Sequence, residues 1–161
     1  SLLTLFTSLS DCTRLAKCPK VLVRITLPYS PQEIYRAFES AELLALWWGP
    51  EGFSNTFEIF EFKDGGRWVF VMHGPDGNNY QNQSIFTSLE PNAKIVIKHD
   101  CAPYFTLTVE LKSVKNGTHL TWVQVFEDAK TAQAVKERVG SANEQNIDRL
   151  TIVLSKVSSA A

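Results

Sequence analysis

The histidines and cysteines are the residues of this chain whose types could support metal binding or nucleophilic catalysis. His73, His99 and His119 fall on three different predicted strands, and none belongs to a His-Glu-x-x-His or similar ligand spacing. His73 and His119 alternate out of phase with the tryptophans of their strands, so we expect the histidines to lie on the surface. Asp100-Cys101 follows His99 directly, and because adjacent strand residues face opposite sides of a sheet, we predict no Cys–His dyad. These patterns predict neither a metal site nor an identifiable catalytic residue.

The cysteines favour a reducing compartment. The chain has three cysteines, Cys12, Cys18 and Cys101. Their number is odd and no two form a C-x-x-C pair, so the sequence predicts neither a disulfide framework nor a zinc site. The first residues show neither a basic stretch nor a small-residue cleavage pattern, which argues against a signal peptide. We therefore expect reduced thiols and a cytoplasmic location, and a Cys12–Cys18 disulfide in an exported protein stays open as the alternative.

Composition argues against several classes of protein. The chain has 161 residues with a net charge of −1, and 44% of them are apolar and 20% charged, which is typical of one globular domain. Sixteen basic against seventeen acidic residues argue against a nucleic-acid partner. No apolar run reaches the roughly 20 residues that span a bilayer. Gly65-Gly66 lacks the further glycine and helix of a dinucleotide-binding loop, so no cofactor is expected.

Periodicity and turn residues predict the elements that would position the functional side chains. Val21–Leu27 is a β-branched apolar run that predicts a first strand. Ser30 and Ser40 then predict the N-caps of two short helices, the second of which stops at Gly49-Pro50. From residue 53 to residue 126 apolar and polar residues alternate between hairpin signals, which indicates six further antiparallel strands.

The last part of the chain predicts the element that covers the sheet. Asn116-Gly117 predicts a two-residue hairpin turn, and helical periodicity follows over two segments, Ala129–Val139 and Ser141–Val157. The order of elements predicts an α+β fold in which a curved antiparallel sheet of about seven strands wraps around a long C-terminal helix, with two short helices after the first strand. A strongly bent sheet around one helix can leave a pocket lined by large side chains.

Particular blocks of residues carry a family resemblance. The blocks are Trp47-Trp48-Gly49-Pro50, residues 61–68, residues 71–77, Leu89-Glu90-Pro91, residues 117–121 and Asp148-Arg149-Leu150. In this order and spacing they resemble the activator-of-heat-shock-protein-90-ATPase homologue family of the START-like, helix-grip (birch-pollen-allergen-like) superfamily. The chain departs from the family pattern at Glu61-x-Lys63, where Asp-x-Arg is usual, and the first twenty residues have no counterpart. We expect Arg149 to lie on a solvated helix edge.

The resemblance also divides the chain, because it covers about residues 20–157. We expect residues 1–19 to form an N-terminal extension, either a short helix or a disordered segment. Residues 20–161 are expected to form one START-like, helix-grip domain.

Aromatic residues are the unusual part of the composition, with ten Phe, four Tyr and four Trp. Those on the strands alternate toward one face and form either a solid core or a cavity wall, and the superfamily resemblance favours a cavity between the sheet and the C-terminal helix. The residues expected to line it are Trp47, Trp48, Trp68, Phe70, Met72, Tyr80, Asn82, Phe105, Leu107, Trp122, Gln124, Asn143 and Ile147. Its uncharged polar members would suit an oxygenated hydrophobic molecule, unless they bond one another or lie at the rim.

Three functions remain open on the sequence. The favoured one is a protein that binds a hydrophobic or aromatic small molecule without a cofactor. A cyclase- or hydrolase-type enzyme would use Tyr80, Asn82 or Gln124 to polarise a carbonyl, but no carboxylate or histidine is expected to point inward. A cochaperone acting on heat-shock protein 90 is implied by the family name and ranks lower, because only about twenty residues precede the domain. Homodimer formation also stays open.

Overall fold

Seven antiparallel strands and three helices make up residues 20–160, the part of the chain that the computed structural model describes. The strands are β1 (Lys20–Leu27), β2 (Ser54–Phe60), β3 (Gly66–His73), β4 (Asn79–Glu90), β5 (Lys94–His99), β6 (Phe105–Val114) and β7 (Gly117–Phe126). The helices are α1 (Pro31–Glu39), α2 (Ala41–Trp47) and α3 (Ala129–Ala160). The predictions for residues 1–19, including Cys12 and Cys18, lie outside the described residues.

The strands form one curved sheet. Their order is β1-β7-β6-β5-β4-β3-β2, with antiparallel pairing at every step. Register shifts interrupt the pairing between Phe57 and Ile59 on β2 and between Phe86 and Ser88 on β4. Such irregularities bend a strand and increase its twist, which helps the sheet curve around α3. The predicted α+β helix-grip fold is confirmed.

The two short helices begin where the sequence predicted. The Ser30 hydroxyl accepts a hydrogen bond of 3.2 Å from the Glu33 N–H, and the Glu33 carboxylate accepts one of 2.8 Å from the Ser30 N–H. The Ser40 hydroxyl accepts a hydrogen bond of 3.3 Å from the Leu43 N–H at the start of α2. These side chains satisfy backbone donors that have no partner within the first helical turn.

The hairpin between β6 and β7 lies one residue earlier than predicted. Val114 pairs with Gly117, so Lys115 and Asn116 form the turn, and Asn116 takes the left-handed φ of 70°. Gly117 is the first residue of β7 instead. Only glycine fits there, because a Cβ would lie 2.0 Å from the Leu27 carbonyl oxygen at the end of β1. The glycine serves a close approach of two backbones, and the asparagine serves the turn.

The two predicted C-terminal helical segments are one continuous helix, so the predicted break between them is wrong. α3 runs for 32 residues, which is about 48 Å, with Gly140 inside it. A glycine within a helix costs only about 1 kcal/mol relative to alanine. That cost is too small to end a helix of 32 residues, and Ala132 before Gly140 and Asn143 after it are both buried.

Gly140→Ala is expected to raise the free energy of unfolding by about 0.7 kcal/mol, because alanine loses less conformational entropy in a helix. The added Cβ would meet only the Val21 Cγ1, at an ordinary contact distance of 4.0 Å. Urea unfolding followed by circular dichroism measures the change. Gly65→Ala is the control and is expected to lower the free energy of unfolding. An added Cβ there meets no atom within 4 Å, but φ is 78°, which strains any residue other than glycine. Destabilisation by Gly140→Ala would contradict an unstrained helix at this position.

The interior of the domain contains two clusters of buried apolar side chains. The larger cluster includes Trp47, Trp68 and Trp122, and α1, α2 and the second half of α3 contribute to it. The smaller one joins Val21, Phe126 and Ala132 beneath the first half of α3. The space between these clusters contains the candidate site.

Candidate ligand-binding site

A cavity of about 300 Å³ lies between the sheet and α3. Its walls come from β3 to β7, from α3 and from the segment that follows α2. The lining residues are Trp48, Gly49, Pro50, Phe70, Met72, Asn82, Ser84, Ile97, His99, Pro103, Phe105, Leu107, Trp122, Gln124, Val139, Ala142, Asn143 and Asn146. The volume falls at the lower end of the range for small-molecule pockets, and the mixture of apolar walls with a few polar groups is typical of them.

Nine of the thirteen residues expected from the sequence line this cavity. They are Trp48, Phe70, Met72, Asn82, Phe105, Leu107, Trp122, Gln124 and Asn143. All but Trp48 and Asn143 lie on strands. Period-2 alternation therefore placed most of the strand residues on the concave face, where the cavity forms.

The other four expected residues lie elsewhere. Trp47 anchors α2 to α1, since its indole N–H donates a hydrogen bond of 3.0 Å to the Ala37 carbonyl. Trp68 and Ile147 are fully buried among the side chains of the larger cluster. Tyr80 is 44% exposed, and its hydroxyl donates to the Asp76 carboxylate at 3.2 Å. Alternation puts Tyr80 on the same face as Asn82, but it lies next to the β3–β4 hairpin, beyond the end of the cavity.

His99 lies in the cavity wall, which corrects the expectation that the histidines lie on the surface. It is only 6% exposed, and its ring stacks on Phe105 with a centroid distance of 4.5 Å. Ile95 and Ile97 are buried on the same strand, so alternation along β5 was the signal that could have placed His99 inside. The other two histidines, by contrast, do not line the cavity.

Cys101 and His99 are also closer than predicted. The Cys101 Sγ lies 3.4 Å from the His99 Nε2. β5 ends at His99, so the rule that adjacent strand residues face opposite sides does not apply to Cys101. The prediction that this pair could not meet is therefore wrong.

The surroundings of His99 determine where its proton lies. Burial lowers the pKa of His99, although the Pro103 and Cys101 carbonyls and the Asp100 charge act in the opposite direction. The His99 Nδ1 is 2.8 Å from the Pro103 carbonyl oxygen, so Nδ1 carries the hydrogen of the neutral ring. Nε2 then holds a lone pair, and it forms a hydrogen bond with the Asn82 amide 2.9 Å away only when that amide turns its NH2 group toward the ring, because Oδ1 is itself an acceptor. A lone pair at Nε2 can accept a proton from a ligand.

Amide side chains supply the other polar groups of the wall. Gln124 on β7 and Asn143 on α3 are 7% and 8% exposed, and the Asn143 Nδ2 donates a hydrogen bond of 2.9 Å to the Gln124 Oε1. The Asn146 Oδ1 and the Trp122 Nε1 are buried without a hydrogen-bond partner among residues 20–160. No Asp, Glu, Lys or Arg lines the cavity within the same range.

Arg149 positions the segment after α2 that lines the cavity, which corrects the expectation of a solvated helix edge. Its guanidinium donates hydrogen bonds of 2.8–3.0 Å to five backbone carbonyls, those of Leu46, Trp48, Gly49, Pro50 and Phe53. The positive charge lies at the C-terminal end of α2, where the helix dipole favours a cation. Gly49 packs directly on the cavity wall, because a Cβ there would lie 2.6 Å from the Met72 Cε.

Two features are absent from the part of the chain that the structure describes. Within residues 20–160, no group of three or more His, Cys, Asp or Glu side chains could hold a metal ion. None of the helices in the same part of the chain is both long and apolar enough to span a membrane.

Comparison with known proteins places the fold and the family. The structure is similar to a protein from Nitrosomonas europaea, with a TM-score of 0.81 and 19% identity over 89% of this chain and 98% of that one. For a protein from Arthrobacter aurescens the TM-score is 0.79, with 24% identity over 86% and 87% of the two chains. For an AHSA1-like protein from Aeromonas hydrophila it is 0.71, with 15% identity over 86% and 94%. At these identities the likeness shows the fold alone.

Sequence comparison is more specific. No curated protein matches the chain in a sequence search. The profile of one family, described as Activator of Hsp90 ATPase homolog 1-like protein, matches residues 28–155, which include every element from α1 to most of α3. The chain therefore belongs to the Activator of Hsp90 ATPase homolog 1-like family.

Proposed function

We propose that this protein binds a small, uncharged, hydrophobic or aromatic molecule in the cavity between the sheet and α3. The observation that carries the proposal is the cavity itself, about 300 Å³ in volume and lined mostly by aromatic and aliphatic side chains. A domain that only needed a core would gain from filling this space, because side chains that border a void lose packing contacts. Maintaining it is consistent with an occupant.

The lining also indicates the polarity of the ligand. Apolar contacts with Phe70, Leu107 and Trp122 would supply most of the affinity, since they remove apolar ligand surface from water. Uncharged groups such as those of Asn82 and Gln124 would orient the ligand through its oxygen or nitrogen atoms. A charged ligand would lose its hydration without meeting an opposite charge, so it would bind poorly.

Ligands of this class are expected to raise the melting temperature of the protein, and a panel of lipids, flavonoids and polyketides is the first test. A compound present at 100 times its Kd stabilises the folded state by about 2.7 kcal/mol. For a domain of this size that corresponds to an increase of about 5–10 °C. Differential scanning fluorimetry measures the shift.

A substitution that fills the cavity tests whether the ligand-dependent shift arises there. Ala142 lines the cavity on α3, so Ala142→Phe is expected to abolish the ligand-dependent shift. Ala134→Phe places the same side chain at an exposed position of the same helix and is expected to keep it. The proposal fails if no compound shifts the wild type, or if the shift survives in Ala142→Phe.

An enzyme of the cyclase or hydrolase type is the second candidate, and the position of His99 is the observation that favours it. Inside the cavity wall, its Nε2 can take a proton from a bound molecule, and the Pro103 carbonyl holds the ring in the required orientation. Mass spectrometry of the compounds recovered from the melting experiments separates the two functions. An unchanged ligand supports binding alone, and a converted ligand supports catalysis.

Partners and location complete the proposal. Near-neutral charge supports the absence of a nucleic-acid partner, and the free thiol of Cys101 supports a cytoplasmic location. Binding to heat-shock protein 90 has only the family description in its favour, so we rank it below ligand binding.

A further inference from the structure

The paired amides of Gln124 and Asn143 leave one hydrogen-bond donor and one acceptor unused in the cavity wall. The Asn143 Nδ2 donates to the Gln124 Oε1, so the Gln124 Nε2 and the Asn143 Oδ1 remain without a partner in the described part of the chain. If both amides were turned over, Gln124 would offer the acceptor and Asn143 the donor, so the wall would still present one donor group beside one acceptor group. Both side chains are more than nine-tenths buried.

A second observation repeats this pattern one step along each element. Trp122 precedes Gln124 by two residues on the same face of β7, and its indole N–H is a buried donor without a partner among residues 20–160. Asn146 follows Asn143 by three residues on α3, and its Oδ1 is a buried acceptor without a partner in the same range. These two atoms are themselves covered by protein atoms, so the polar groups that a ligand meets first are the amides of Gln124 on the strand side and of Asn143 on the helix side.

Unsatisfied buried polar groups cost about 1–3 kcal/mol each, so a ligand that pairs with them regains that free energy. A carbonyl oxygen would accept hydrogen bonds from β7, and an N–H or O–H beside it would donate to α3. The aromatic side chains of Phe70 and Phe105 on the same wall suit a flat ring system.

We propose that the cavity selects uncharged aromatic compounds that carry a carbonyl oxygen next to an N–H or O–H, with aromatic lactams as the simplest form. This inference rests on the proposed function, since it names the ligand class of the same cavity. Carboxylates are excluded from it, because Arg149, the cation next to the lining segment after α2, already donates to five carbonyls.

Matched bicyclic probes test the inference by isothermal titration calorimetry on the full chain. Quinolin-2(1H)-one has the carbonyl and the N–H, coumarin replaces the N–H by an oxygen of similar size, and quinoline lacks the carbonyl. The lactam is expected to bind about tenfold more tightly than coumarin and at least tenfold more tightly than quinoline. The charged 2-naphthoate is expected to bind more weakly than all three.

Variants connect the preference to the amide groups. Asn143→Leu removes the free acceptor at similar size, so the ratio between lactam and coumarin affinities is expected to fall from about ten to near one. Gln133→Leu is the matched control, because Gln133 is an exposed amide on the same helix, and it is expected to keep the ratio. Melting curves confirm that both variants fold.

The outcomes separate this inference from the proposed function. Equal affinity for the lactam and coumarin, tighter binding of 2-naphthoate, or an unchanged ratio in Asn143→Leu would overturn the lactam preference and leave ligand binding intact. If no probe binds while other compounds in the melting panel do, the inference alone fails. If neither the probes nor the panel bind, the proposed function fails as well.

Discussion

Arg149→Met is expected to lower the free energy of unfolding by about 3 kcal/mol, because it removes five hydrogen bonds from a charged donor. Methionine keeps much of the apolar stem of arginine, so the lost free energy of unfolding measures the contribution of the guanidinium group. The figure is smaller than five separate bonds would suggest, since water can reach several of the released carbonyls. Urea unfolding measures the change, and a melting temperature lower by about 10 °C is expected.

Two controls determine what the Arg149 result means. Arg138 is exposed on the same helix, so Arg138→Met is expected to change stability by less than about 0.5 kcal/mol. Arg149→Lys retains the charge but loses the planar fork that reaches several carbonyls, so it is expected to restore less than half of the stability. If Arg149→Met were as stable as Arg138→Met, the segment of residues 46–53 would keep its conformation without Arg149.

Trp68→Ala is expected to be the most destabilising single substitution discussed for this chain, at about 4 kcal/mol. The indole is fully buried and stacks between Phe70 and Phe86, with centroid distances of 4.2 Å and 5.6 Å. Its Nε1 has no hydrogen-bond partner among residues 20–160, so the cost comes from lost packing and from the space left behind. The free energy of unfolding in urea is the measured quantity.

An exposed aromatic residue provides the comparison for Trp68. Tyr104 is 48% exposed, so Tyr104→Ala removes a ring that is only half covered and is expected to cost less than about 1 kcal/mol. Similar losses in the two variants would mean that the stack of Trp68 between its neighbours does not stabilise the larger interior cluster. A loss confined to Trp68→Ala would assign that role to the stack.

Local signals explain why so much of the fold could be predicted from the sequence. Ser30 and Ser40 act on backbone groups within three residues, so their caps depend on nothing distant. Strand alternation is equally local. The predicted position of the turn was wrong because it relied on Gly117, and that glycine is required by a distant contact with the Leu27 carbonyl of another strand. The predicted break at Gly140 was wrong for a different reason, because one glycine costs a helix only about 1 kcal/mol relative to alanine.

The candidate site was less predictable, because its boundaries depend on how α3 and the segment after α2 lie over the sheet. Alternation identified strand residues such as Phe70 and Gln124, but it carries no information about where the cavity ends, so Tyr80 was included. Ala142 and Asn146 were missed, since a helix stripe alone does not show which turns cover open space. The five carbonyls bound by Arg149 belong to one segment, but the arginine lies about a hundred residues away.

The two interior clusters imply different resistance to local opening at the two sides of the cavity. Arg149 ties down the side formed by residues 46–53, whereas the first half of α3 rests on the small cluster of Val21, Phe126 and Ala132. Segments with few buried apolar contacts open at lower free energy than the rest of a domain. A ligand would then enter and leave by transient opening of the first turns of α3, and the small cluster would set much of the free energy of that opening.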